Sequence, residues 1–145
     1  MAFTVSEVKK KIQELSEMSE LDPGIFCEEE GLADSLVQEF KKQRKDLKPT
    51  QLRKVFHELK AIQRDVLKEI KEDEDKKKPF HDRFRKRVIK LMPAMAYATG
   101  RDLIPKDFYE LMKMCLSPER LKTYGDFLRL SEFTEAIMAY HKFRQ

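Results

Sequence analysis

Apolar residues recur along this chain at intervals of three and four, the period of a helix with one face turned to a core, and no stretch alternates as a half-buried strand does. Val5, Val8, Ile12 and Leu15 form the first such series, and Thr4 followed by Glu7 puts a capping box just ahead of it. Pro23 and Gly24 end the series with turn chemistry. A second series runs through Leu32, Leu36, Phe40 and Leu47, its polar face changing from acidic to basic along its length, as the helix macrodipole favours. Thr50 is a natural N-cap for the longest series, Leu52, Val55, Phe56, Leu59, Ile62, Val66 and Ile70.

Residues 71–78, KEDEDKKK, carry no apolar side chain and stop at Pro79. They predict a charged hinge at about 71–79, and a hinge between long helices is also a route to dimers by exchange of C-terminal halves. Phe84, Val88, Leu91 and Met95 resume the helical period, with Pro93 inside it, so a kink is expected over 89–93. Gly100 stands where a left-handed residue would end that helix and leave Arg101 projecting from a corner, while Tyr97 has the spacing of a partly buried ring. A further helix carries Phe108, Leu111, Met112 and Cys115, Ser117 and Pro118 read as another start signal, and a last helix from about Gly125 presents Phe127, Leu130, Phe133, Ile137 and Tyr140 on one face. The predicted fold class is all-α, a compact bundle of five to seven helices, one of them long, in a single domain over residues 1–145.

Composition agrees: four glycines and 39% charged residues suit helices better than a sandwich or barrel. No apolar run approaches the roughly 20 residues that span a bilayer, and the N-terminus lacks a signal-peptide core, so no membrane association and a cytoplasmic location are expected. Charge changes the picture more. The formal net charge of +4 hides an acidic segment, residues 1–40, with three lysines against ten acids, and a basic remainder, 41–145, with 27 bases against 16 acids. Clustered lysines and arginines are what a polyanion such as nucleic acid requires.

No phosphate-binding loop, dinucleotide fingerprint, zinc spacing or nucleophile elbow occurs, so no enzyme activity, metal or cofactor is predicted. His57, His81 and His141 lie on separate elements, and Cys27 and Cys115 read as buried thiols. The positive signal is basic. Lys41, Lys42, Arg44, Lys45, Lys48, Arg53 and Lys54 bracket a turn and a helix start, where side chains and first-turn amides both suit phosphate. Arg83, Arg87 and Lys90 share one face of a helix whose Phe84, Val88 and Leu91 turn inward. Phe84 and Tyr97 have rings suited to stacking on bases, although their spacing is that of core residues. The segment ahead of LKPTQLRK lacks the glycine turn of a helix-turn-helix, which favours single-stranded RNA over duplex DNA. The alternative reading is a helical protein–protein adaptor that binds no nucleic acid.

Three stretches together resemble one family. Thr50, Leu52 and Arg53 in LKPTQLRKVFHEL, Tyr97, Gly100 and Arg101 in MAYATGRD, and Glu135, Ala136, Ala139, Tyr140, Lys142 and Phe143 in EAIMAYHKF are similar in order and spacing to the small subunit of type III-A CRISPR effector complexes. The pattern departs from that family at Met92 and Ala94, which flank Pro93 where bases are frequent, so no phosphate contact is expected from those two positions. The resemblance implies a non-catalytic subunit of a ribonucleoprotein of antiviral and plasmid defence. It stacks in several copies beside RAMP-type backbone subunits and a large polymerase-like subunit, and touches the phosphate backbone of target RNA paired with the guide RNA. Combined with the basic clusters, it nominates Lys48, Arg53, Lys54, Arg83, Arg87, Lys90, Arg101 and Lys142 as RNA-binding residues.

Overall fold

The computed structural model describes residues 2–43 and 48–145. Arg44, Lys45 and Leu47 of the basic cluster and the second apolar series lie outside the described residues. The architecture is all-α. Among the described residues there is no strand, and seven helices of eight residues or more are joined by one four-residue turn, α2 (Pro23–Phe26), and two 3-10 turns. The long helices are α4 (Pro49–Leu67) and α8 (Tyr124–Phe143), of 19 and 20 residues.

α8 is the axis of the bundle. It buries Tyr124, Phe127, Leu130, Phe133 and Ile137 along with Asp126, Ser131, Thr134 and His141, so no side of it is wholly solvated. α3 (Leu32–Lys42) and α4 pack along it, and the buried residues of all elements form one cluster. Its start is fixed by Thr123 and Asp126, which exchange hydrogen bonds between side chain and backbone as a capping box does. Asp126 is fully buried, and its carboxylate also accepts from the Ser19 amide at 2.9 Å and the Lys122 amide at 2.9 Å. The predicted box of Thr4 and Glu7 likewise opens α1 (Val5–Gln13).

The acidic N-terminal segment is part of this core. Val8, Ile12, Met18, Leu21 and Phe26 are buried, and Lys9 ties α1 to α7 (Lys106–Cys115) through Asp107 at 2.5 Å and Glu110 at 2.8 Å. Burial opposes the Lys9 charge, and the two carboxylates outweigh it, so its pKa is raised. Cys115 is buried as expected and its thiol is pushed up to about 12 by desolvation. Cys27 is exposed, because α2 is a single turn at the surface and the chain leaves it there.

Four local expectations are revised. The N-cap of α4 is Lys48, two residues ahead of Thr50, with Pro49 in the first helical position, where a missing N–H costs nothing. Pro93 bends no continuous helix: α5 (Asp82–Ile89) stops, Lys90 joins it to α6 (Leu91–Gly100), and the proline falls in the first turn of α6. Ser117 and Pro118 start a single turn rather than a helix, with Arg120 and Leu121 donating their amides to the Ser117 carbonyl. Gly100 has no positive φ. The left-handed residue is Asp102, φ 58°, and the Leu103 and Asp102 amides donate to the Ala98 and Thr99 carbonyls, the two bonds of a Schellman ending.

The charged stretch 71–78 is exposed and polar as its composition predicts, and it is anchored at its ends. Asp73–Lys77 form a 3-10 turn, with Asp75 accepting from the Lys71 and Glu72 amides. Those bonds and the Lys78 ammonium lower the Asp75 pKa to about 2. Phe80 then donates its amide to the Lys122 carbonyl and stacks on Phe127 and Phe84 at 5.2 and 6.1 Å between ring centroids.

Candidate nucleic-acid interface

Two flanks of α4 differ in sign. Arg53, His57, Lys60, Arg64 and Lys68 recur every three or four residues and so share one face, which spans about 22 Å at 1.5 Å per residue. All but Gln63 and Leu67 among the residues lining the open hollow on this face, which Lys60, Arg64 and Lys68 complete, are cations. Glu58, Asp65 and Glu69 lie on the other flank together with Lys54. That flank meets α5: Arg87 donates to Asp65 at 2.6 Å, and Arg83 pairs with Glu69. The residue numbers fall on α4 as they rise on α5, so the two helices are antiparallel.

The eight predicted residues therefore separate into two groups. Arg83 and Arg87 are held by carboxylates of α4, and Arg83 also lies 4.5 Å from the centre of the Phe84 ring. The Arg87 guanidinium lowers the Asp65 pKa, against a smaller opposing effect of burial. Lys48, Arg53, Lys54, Lys90, Arg101 and Lys142 are exposed and make no ion pair among the described residues. The Lys48 amide donates to the Leu103 carbonyl at 3.2 Å, which brings the start of α4 to the loop that follows Arg101. No side chain caps that helix start, so its first amides face the same corner. Lys142 is on the last turn of α8, at the end of the bundle where Lys41 donates to the Arg144 carbonyl.

Tyr97 departs from its expected partial burial: it is 65% exposed. Its hydroxyl accepts from Arg101 at 2.9 Å, and the guanidinium lies 5.7 Å from the ring centre. Arg101 is thus bound neither to Asp102 nor to Asp107, whose carboxylate is taken by Lys9. Phe84 is 3% exposed and belongs to the core.

Lys60, Arg64 and Lys68 were not singled out by the sequence reading, although their spacing from Arg53 is visible in it. Lys60 pairs with Glu135 at 2.9 Å and Lys68 with Asp65 at 3.5 Å, both at the surface, whereas Arg64 has no acidic partner among the described residues. No three His, Cys, Asp or Glu residues are placed to hold a metal ion among the described residues. No helix described is long and apolar enough to cross a membrane.

A family model described as Csm2 Type III-A matches residues 30–145. The chain belongs to the Csm2 Type III-A family. It is accordingly a small subunit of the type III-A CRISPR complex, and membership of that multi-subunit complex fits a structural role. No curated protein and no solved structure matches. The matched residues hold α3 to α8 and every predicted RNA-binding residue, whereas α1 and α2 precede the match.

Proposed function

We propose that this Csm2 Type III-A chain is the non-catalytic subunit that tracks the phosphate backbone of target RNA beside the guide RNA, in several stacked copies and in the cytoplasm, as part of antiviral and plasmid defence. The observation that carries this reading is the cationic face of α4, Arg53 to Lys68, on which Arg53 and Arg64 have no acidic partner among the described residues, while the acids that neutralise α5, Asp65 and Glu69, lie on the adjoining flank and only Lys68 reaches one of them. Phosphates need charge without base-reading geometry, and a straight row of cations on one helix supplies that. Lys48, Lys54, Lys90, Arg101 and Lys142 would add contacts where the RNA or a neighbouring copy brings a strand past them.

The test is binding of the purified chain to single-stranded RNA across a salt series. Each phosphate contact contributes about −0.7 to the slope of log affinity against log salt. Arg53→Glu combined with Arg64→Glu should flatten that slope by about 1.4, whereas an unchanged slope would remove the α4 face from the interface.

A further inference from the structure

α6 is apolar on all sides, LMPAMAYATG, a composition that normally marks a helix enclosed by others. Only Leu91, Met95 and Ala98 are buried. Pro93, Ala96, Tyr97 and Gly100, spaced three, one and three residues apart, are exposed along the opposite side, and Ile89, 52% exposed, continues the line one turn earlier on α5. Small side chains thus form a shallow apolar saddle between Ile89 and Tyr97. Its ends are cationic: Lys90 at one and Arg101 at the other, with the start of α4 and Lys48 held beside the second through the Leu103 carbonyl. Asp102 adjoins this corner without pairing with Arg101.

We propose that this face seats unpaired nucleobases, with Tyr97 as the stacking platform and Lys90, Lys48 and Arg101 on the flanking phosphates. Arg101 donates to the Tyr97 hydroxyl and its guanidinium lies 5.7 Å from the ring centre, which holds the hydroxyl end of the ring and leaves the exposed ring face to a base. A flat apolar surface with cations at its margins matches a single strand, whose bases are apolar on their faces and whose backbone is anionic. An aliphatic protein surface would account for the saddle but leave the unpaired cations unexplained. The proposal rests on the RNA reading above and adds to it that the nucleotides reaching this face are ones left out of the pairing with the guide, since a paired and stacked base has no face free for Tyr97.

The experiment compares the chain with its Tyr97→Ala and Tyr97→Phe variants on three probes of equal length: a single-stranded RNA, the same strand with abasic positions, and its duplex. Tyr97 is exposed, so neither change should disturb folding. Tyr97→Ala should weaken single-strand binding about 5- to 150-fold, leave the salt slope unchanged, and have no effect on the abasic strand or the duplex. Tyr97→Phe should retain most of the affinity. Salt-dependent binding that Tyr97→Ala does not weaken would overturn the base seat while leaving the phosphate reading intact. Absence of any RNA binding at low salt would overturn both. If Tyr97→Ala shifts the sedimentation of the chain and spares RNA affinity, the saddle is a protein interface and the proposal fails.

Discussion

Two sets of cations on this bundle have similar sequence signatures and opposite circumstances. On α5 and at the end of α8, guanidinium groups close onto carboxylates: Arg83 on Glu69, Arg87 on Asp65, and Arg144 on the fully buried Asp34 at 2.7 and 2.9 Å. On the back of α4 and at the α6 corner, Arg53, Arg64, Lys90 and Arg101 face water without an acid. A paired arginine has its donors filled and its charge cancelled locally, whereas an unpaired one keeps both for a ligand. The first set is thus expected to act on stability and the second on RNA.

The largest effect separates the two sets from the structural side. Asp34 accepts from Arg144, from the Glu30 amide at 2.8 Å and from Gln38 at 3.0 Å. Its burial favours the neutral form, and these bonds outweigh burial and lower its pKa. Asp34→Ala leaves those donors without their acceptor and should cost about 2 to 3 kcal/mol, a fall in Tm of about 5 to 10 °C, read by thermal melting. RNA affinity at a temperature where the variant is folded should not change. Because the folded pKa of Asp34 lies below its unfolded value of about 3.9, its contribution is fully present above that pH and is lost as pH falls through the lowered value. The difference between wild type and Asp34→Ala should therefore shrink in urea titrations carried out below about pH 3.9.

The middle effects test the RNA side. Arg64→Ala should flatten the single-strand salt slope by about 0.7, and Arg87→Ala should leave it unchanged. Arg87 and Asp65 are each about one third exposed, so their pair contributes little to stability as well, and Arg87→Ala should be nearly silent in both assays. If Arg87→Ala weakened RNA binding as much as Arg64→Ala, the partition between the two sets would be wrong, and RNA would have to displace Asp65.

How far the sequence predicts this partition depends on whether the deciding contact is local. The capping boxes at Thr4 and Thr123, the apolar stripe of α4 and the Arg53–Lys68 cationic face all follow from spacing within one helix, and the last was legible in a sequence that nominated only its first member. The pairing of Arg83 and Arg87 was not, because it depends on α5 running antiparallel to α4 in a register that sets them against Glu69 and Asp65. The same holds for Arg144 and Asp34, which are 110 residues apart. Tyr97 escapes its expected burial for the related reason that helical spacing marks a face without showing whether another element covers it, and Cys27 because its neighbours in sequence do not show that the chain leaves it at the surface after α2. Asp102 took the left-handed position expected of Gly100 because a Schellman ending is fixed by which carbonyls the next amides reach.

The smallest effect lies at that ending and bears on the open set. A Cβ on Gly100 would meet nothing within 4 Å, and its backbone is helical, so Gly100→Ala should stabilise the chain by about 0.5 kcal/mol through helix propensity and a less flexible unfolded state. The added methyl lies on the exposed α6 face beside Tyr97 and Arg101. If that face takes flat bases, one methyl at its edge should change single-strand affinity less than twofold. A loss as large as that of Tyr97→Ala would mean that the RNA backbone itself approaches α6 at Gly100, and that the glycine is there for the ligand and not for the helix.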